Sequence, residues 1–345
     1  MNLSLQVFQR VNEVSKEGIR MLTALDHVII GVRDLDEATH VFRDNLGLIP
    51  SGGGVHTSGG TANRIIVIGD TYLELIAVRT PAEAQASMVN RLAKGEGYLN
   101  FVLSSNDIQA DSAAMKHRGI SIVGPKKGEL NAGEGRSRSW MRTDIERPDL
   151  TQHYPFLIQH DSTGEERRTR LAGWTTPPVH PLGVSKILSV TIAVKNLPEA
   201  AQRFEHIYGL HPSQEYSGEA DSWDAILVGF LLEPSLQSFE LATPIPAVFD
   251  PVAVNNDGSD YIPEPGALTR YLQQYGESVC RMTLAVENLD ASRRFLDAHN
   301  VTYTYKEHPA YPRPVLWIQP DQACGASIVL HEFTPDMPQD NPLHL

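Results

Sequence analysis

The chain has 345 residues, 41% of them hydrophobic and 21% charged, ordinary proportions for a folded globular protein. That length is long for one hydrophobic core and predicts two domains. A formal net charge of −13 speaks against nucleic acid or an anionic membrane as partner, because neutralising phosphates needs clustered Lys and Arg.

Residues 1–22 carry charges throughout and lack an apolar signal-like segment, so they read as a short amphipathic helix that caps the fold or pairs with a partner. No apolar run is long enough for a transmembrane helix. The two cysteines, Cys280 and Cys324, lack zinc spacing. They read as reduced thiols of a cytoplasmic protein rather than as a disulfide.

The stretch Leu25–Leu48 predicts a strand, a tight turn and a helix. Val28, Ile30 and Val32 share one apolar face, and His27 lies on the other, which should meet something polar. Asp34 with Glu37 has the spacing of a helix start, Leu35, Ala38, Phe42 and Leu46 make an apolar stripe, and Gly47 supplies the left-handed stop. The pattern recurs at Ile187–Leu210, with weaker copies at Leu99–Ile120 and Cys280–Val301. Strand-like runs follow each copy: Asn63–Ile68 and Thr71–Val78; then Ser121–Val123, Arg138–Thr143 and Phe156–Gln159; then Ala225–Leu232 and Ser238–Ala242; then Val301–Tyr305, Val315–Gln319 and Ser327–Phe333.

The unit is therefore βαβββ, used four times in two pairs. The expected fold is α+β: two half-open cups of eight strands each, with helices outside and a concave face inside. The Pro-rich segment Thr175–Pro181 suits a linker, dividing the chain into domains 23–178 and 179–345. Asp161–Arg170 reads as a charged, solvated run. Pro244–Gly266 is long for a loop and reads as either a lid or a surface excursion.

Two segments suggest a site before any family is considered. In 51–63 (SGGGVHTSGGTAN), the glycines allow close backbone approach, and His56 reads either as a general base or further ligand, or as an exposed side chain on a glycine-rich turn. Along RSRSWMR, alternation puts Arg136, Arg138, Trp140 and Arg142 on one face. Turned into a cup, that face would grip a carboxylate-bearing or aromatic ligand; turned outward, it is a solvated edge.

Leu25-Asp26-His27-Val28, His56 with Gly60-Thr61-Ala62-Asn63, and Tyr72-Leu73-Glu74-Leu75 carry a resemblance, joined by Pro155-Phe156-Leu157-Ile158 and His180-Pro181-Leu182-Gly183. Together they resemble the vicinal oxygen chelate superfamily, and within it the glyoxalase-like branch. The resemblance implies one divalent metal ion (Zn, Fe, Mn, Ni or Co) held from the first and last strands of each unit. Carried over, those positions are His27, Glu74, Asn100 and Gln159, the last two being neutral donors where family enzymes usually present His and Glu. With it, Glu74 joins His56 as the candidate catalytic groups, and Asn63, Arg138, Trp140 and Arg142 are the candidate contacts to a small-molecule ligand. The expected activity is that of a metal-dependent lyase or isomerase acting on vicinal oxygens. A non-catalytic binder of aromatic or antibiotic-like molecules is the alternative, and an extradiol dioxygenase is less favoured. His27 and Glu74 also read as a metal-free acid–base pair, or as partners of one another. In the second half the four positions are Ser189, Glu240, Arg281 and Val329, which predicts no metal there. A tandem chain mimics a dimer of single domains, so monomer and homodimer both stay open.

Overall fold

A computed structural model describes residues 22–56, 59–131, 137–146, 154–220, 225–245, 266–306 and 314–333. The expected N-terminal helix, Arg136 and most of the Pro244–Gly266 stretch lie outside the described residues.

The first half is built from β1 (Leu22–Gly31), β2 (Gly52–Val55), β3 (Thr61–Ile68), β4 (Thr71–Val78), β5 (Gly97–Ser105), β6 (Ile122–Asn131), β7 (Ser137–Ile145) and β8 (Phe156–His160). They form one eight-stranded sheet in the order β2-β3-β4-β1-β5-β8-β7-β6. β1 runs antiparallel to β5 at the centre, and each runs parallel to the last strand of its own unit. The second half repeats the order with β9 (Val184–Ala193), β10 (Ser213–Ala220), β11 (Ala225–Leu232), β12 (Gln237–Pro244), β13 (Ser278–Val286), β14 (Tyr303–Lys306), β15 (Val315–Ile318) and β16 (Ile328–Glu332). This is the tandem α+β fold that the repeats predict.

The helices of the four units are α1 (Leu35–His40), α3 (Ile108–His117), α5 (Leu197–Tyr208) and α7 (Leu289–Ala298). Each starts at a side-chain cap: Asp34, Asp107, Asn196 and Asn288 accept backbone N–H bonds one turn on. After α1 a π-type turn, Val41–Asn45, leads into Gly47, whose φ of 61° is the left-handed stop. Two helices link the units, α2 (Ala86–Lys94) in the first half and α6 (Ala267–Tyr275) in the second. Among the described residues no helix is long and apolar enough to cross a membrane.

Each sheet turns one face toward a common core. Val28, Ile30, Leu75 and Phe101 from the first sheet join Val190, Phe239, Leu241 and Met282 from the second. Phe101 and Phe239 meet at 5.8 Å between ring centroids. Buried polar bonds cross the same boundary. Tyr98 donates to the Ser327 carbonyl at 2.6 Å, and Tyr208 to the Pro155 carbonyl at 2.7 Å. Gln237 accepts from the Leu25 N–H at 3.0 Å. The linker is fastened too: His180 is buried, accepting from the Ile49 N–H at 3.1 Å and donating to the Val67 carbonyl at 2.7 Å.

Asp161–Arg170 departs from its expectation as a solvated run. Most of it forms α4 (Gly164–Leu171), capped by Thr163 and packed through Leu171 on Ile65, Val67 and Tyr72. Leu171, the buried apolar residue that anchors this helix, follows directly on the charged run. The glycine-rich stretch is also more ordered than a turn, since Gly52–Val55 pairs with β3 as an edge strand. A methyl group on Gly52 would collide with the Leu171 carbonyl oxygen. Gly52→Ala is therefore expected to push α4 off the sheet and cost about 1–3 kcal/mol, the usual range for overpacking, as a lowered urea midpoint with an unchanged slope would show.

Candidate functional site

The free face of the first sheet curls around a cavity of about 920 Å³. Side-chain alternation decides what lines it. His27 and Ile29 come from β1, Thr61 and Asn63 from β3, Tyr72 and Glu74 from β4, Arg138, Trp140 and Arg142 from β7, and Phe156, Ile158 and His160 from β8.

A bulge in β1 shapes the floor. The register with β5 steps from Leu25↔Leu103 to His27↔Val102, leaving Asp26 without a cross-strand partner. The extra residue re-aims its side chain, so neighbouring Asp26 and His27 meet on the same side, with Oδ1 2.7 Å from Nδ1. Asp26 is fully buried, and His160 Nε2 lies 3.0 Å from its other oxygen, with Arg167 of α4 at 3.8 Å. Burial alone would raise the Asp26 carboxyl, but attraction and hydrogen bonds from His160, then from His27, hold it well below the usual carboxylate range. An ionised carboxylate only accepts, so His27 Nδ1 carries the proton and Nε2 is left facing the cup.

His27 Nε2 lies 3.8 Å from one oxygen of Glu74, and His56 Nε2 lies 3.7 Å from the other. The His27 ring stacks on Tyr72 at 4.4 Å, and His56 Nδ1 is 2.7 Å from the Thr61 hydroxyl. Asn63 donates to Glu74 at 2.6 Å and accepts from the Gly54 N–H at 2.9 Å, pinning the carboxylate from the side. His27, His56, Asn63 and Glu74 thus converge on one point. His56 does so because β2 pairs with β3 and delivers it to the cup's edge.

The other expected metal positions do not converge. Asn100 lines the cavity, but its amide oxygen accepts from the Phe101 N–H at 2.9 Å and its nitrogen donates to the Tyr154 carbonyl at 2.9 Å. Gln159 faces out of the cup, accepting from the Ile108 N–H at 3.0 Å and donating to the Asn106 carbonyl at 2.8 Å. The register gives the reason. Glu74 pairs with Ile29 of β1, and the same step in the second unit pairs Val102 with Phe156. Phe156, not Gln159, is the counterpart of Glu74, and the Arg142 guanidinium lies over its ring at 3.6 Å. An apolar ring under a cation at one position, and a spent amide at another, do not fit the divalent metal that the resemblance implies. Consistent with this, no group of three or more His, Cys, Asp or Glu among the described residues is arranged to hold a metal ion.

Arg138, Trp140 and Arg142 share one face, as alternation predicts, and that face is the wall of the cup opposite Glu74. Arg142 forks onto Asp144 at 2.5 and 2.9 Å, and Lys126 reaches the same carboxylate at 3.1 Å. Arg138 has no side-chain partner among the described residues and is the unspent cation of that wall. Sequence reasoning missed Asp26, Tyr72, His160 and Arg167. Asp26 sits inside the quoted motif beside His27, but ordinary alternation would send it to the opposite face. His160 follows the period of Phe156 and Ile158 and was within reach of the same argument that placed Trp140.

The corresponding point of the second cup is filled. Arg281 lies 3.2 Å from Glu240, and Thr191 donates to Glu240 at 2.7 Å. Both charged side chains are buried, with Ser189 and Val329 at the remaining positions.

A sequence model of the glyoxalase-like domain matches residues 25–208. No curated protein matches the chain. Among solved structures, a hypothetical protein from Staphylococcus aureus aligns with a TM-score of 0.59 at 14% identity, covering 90% of this chain and 99% of its own. A mutant of 4-hydroxymandelate synthase from Streptomyces coelicolor aligns with a TM-score of 0.59 at 11% identity, covering 94% and 97%. At such identities the likeness concerns the fold, and it spans both halves. With the family match over more than half its length, the repeated βαβββ units and the paired cups, the chain belongs to the glyoxalase-like domain family of the vicinal oxygen chelate fold.

Proposed function

We propose that the first cup is an acid–base site for a small anionic molecule, with an isomerase or lyase type of reaction. One observation carries the reading: Glu74 is buried at the cup floor between two imidazole Nε2 atoms, and one of those rings is fixed by the buried Asp26. A carboxylate so placed can take a proton from a carbon beside a carbonyl. The C–H electron pair then moves to the carbonyl oxygen, giving an enolate, while Arg138 balances the ligand's charge. His27 Nε2 can accept the proton from Glu74, because its other nitrogen is already committed to Asp26. Return of the proton to either face isomerises the ligand; loss of a neighbouring substituent eliminates it.

The test is deuterium uptake. Small keto acids and malonate half-esters are incubated with the protein in D2O and followed by proton NMR. Loss of the α-proton signal is expected with the wild type and not with Glu74→Gln. Binding of these acids without exchange would make the cup a binding site rather than a catalytic one. A stoichiometric transition metal in the purified chain, lost in His27→Ala together with the exchange, would replace the metal-free reading by a metal-dependent one.

A further inference from the structure

We infer that the ligand of the first cup has two parts, an anionic group seated at Arg138 and a planar ring carried outward against Trp174. This rests on the reading of the cup as a small-molecule site and adds the class of molecule. Beside the cup lies a second cavity of about 320 Å³ that shares Arg138 and Leu171 with it. Its walls are the edge of β2 at Ser51–Gly53 and the turn Ala172–Thr175 that follows α4. An apolar cavity of about 150 Å³ holds a benzene ring, so this one has room for a ring and the chain that joins it to the cup.

Trp174 is the ring's platform. It is 42% exposed, an unusual setting for the largest apolar side chain, and its φ of 65° is the left-handed region that bulky residues avoid. The turn keeps it there: the Trp174 N–H bonds to the Thr169 carbonyl at 2.6 Å, and Thr175 Oγ1 to the Ala172 carbonyl at 2.6 Å. Strain held in place at a cavity wall is the kind that a ligand contact repays.

Charge decides where the anion sits. The side cavity has two cations, Arg138 and Arg170. Arg170 is already neutralised by Asp161 at 2.8 Å and by Glu166, and it lies 5.4 Å from the Trp174 ring. Arg138 stands at the junction with its charge unspent, so an anion bridging the two cavities belongs there. Ser51, Gly52 and Gly53 form the opposite wall.

The probes are phenylvalerate and phenylpropionate against valerate and propionate, read by tryptophan fluorescence and by calorimetry. The arylated acids are expected to bind about ten-fold tighter than their plain counterparts, as an aromatic stack supplies, and to quench Trp emission. Trp174→Leu should abolish the preference, and Trp174→Phe should keep most of it. Arg138→Gln should weaken arylated and plain acids alike. Equal affinities for the two series, a preference that survives Trp174→Leu, or acids indifferent to Arg138→Gln would each overturn the inference. Glu74→Gln separates it from the proposed reaction: arylated acids should still bind that variant, so failed deuterium uptake with intact ring preference would sink only the chemistry.

Discussion

Arg281→Met is expected to lower stability by about 3–5 kcal/mol, the cost of stranding one member of a buried ion pair, whereas the double change Arg281→Met with Glu240→Leu should cost far less. Both side chains are nearly inaccessible, with 5% and 1% of their side-chain surface exposed. Among the described residues, removing the guanidinium leaves Glu240 with only the Thr191 hydroxyl at 2.7 Å and no other cation in reach. Neighbouring Cys280 has its thiol pushed up to about 12 by burial, so it stays neutral. Removing both charges leaves two apolar side chains at a point that is already buried. Urea midpoints of the wild type, the two single variants and the double variant give the coupling directly. Additive losses would show that the pair is held by its surroundings and not by mutual attraction.

Asp26→Asn is the second large effect, about 3 kcal/mol or more, since each hydrogen bond to a buried ionised group is worth roughly 1.5–3 kcal/mol. The change keeps the shape and removes the charge that faces His27, His160 and Arg167. Its acid profile gives a sharper signature. The native Asp26 carboxyl is depressed well below the ordinary value because His160 and His27 outweigh the opposing burial. A depressed carboxyl supports the fold above its unfolded pKa of about 3.9, and that support fades as pH falls toward the native value. The wild type should therefore lose more melting temperature between about pH 4 and pH 2 than Asp26→Asn does. Parallel acid profiles for the two would refute the assignment of the charge to Asp26.

The repeat made the architecture legible. Four copies of one strand–helix pattern fix the number of units, and alternation along each strand groups the residues of one face, as for His27 and for Arg138, Trp140 and Arg142, while Glu74 is reached only through the family motif. Failures came where the chain departs from plain alternation. A bulge is invisible in the hydrophobic pattern, and plain alternation would put Asp26 on the far side of β1. The resemblance puts Gln159 at the inward position of the last strand, and only the Val102↔Phe156 register shows that Phe156 holds that position and Gln159 lies on the opposite face. Arg167 was lost because a helix of mostly charged residues, GEERRTRL, carries no apolar stripe to announce its buried side.

Because the two sheets share a single core, neither half closes its own. Phe101 touches Phe239, Tyr98 reaches Ser327, and the backbones of Gly97 and Gly325 come so close that neither tolerates a side chain. A fragment cut at the proline-rich linker would present an aromatic, unsealed surface to water. Expressed alone, the first half should clump or pair with itself, and adding the other half in trans should restore its solubility.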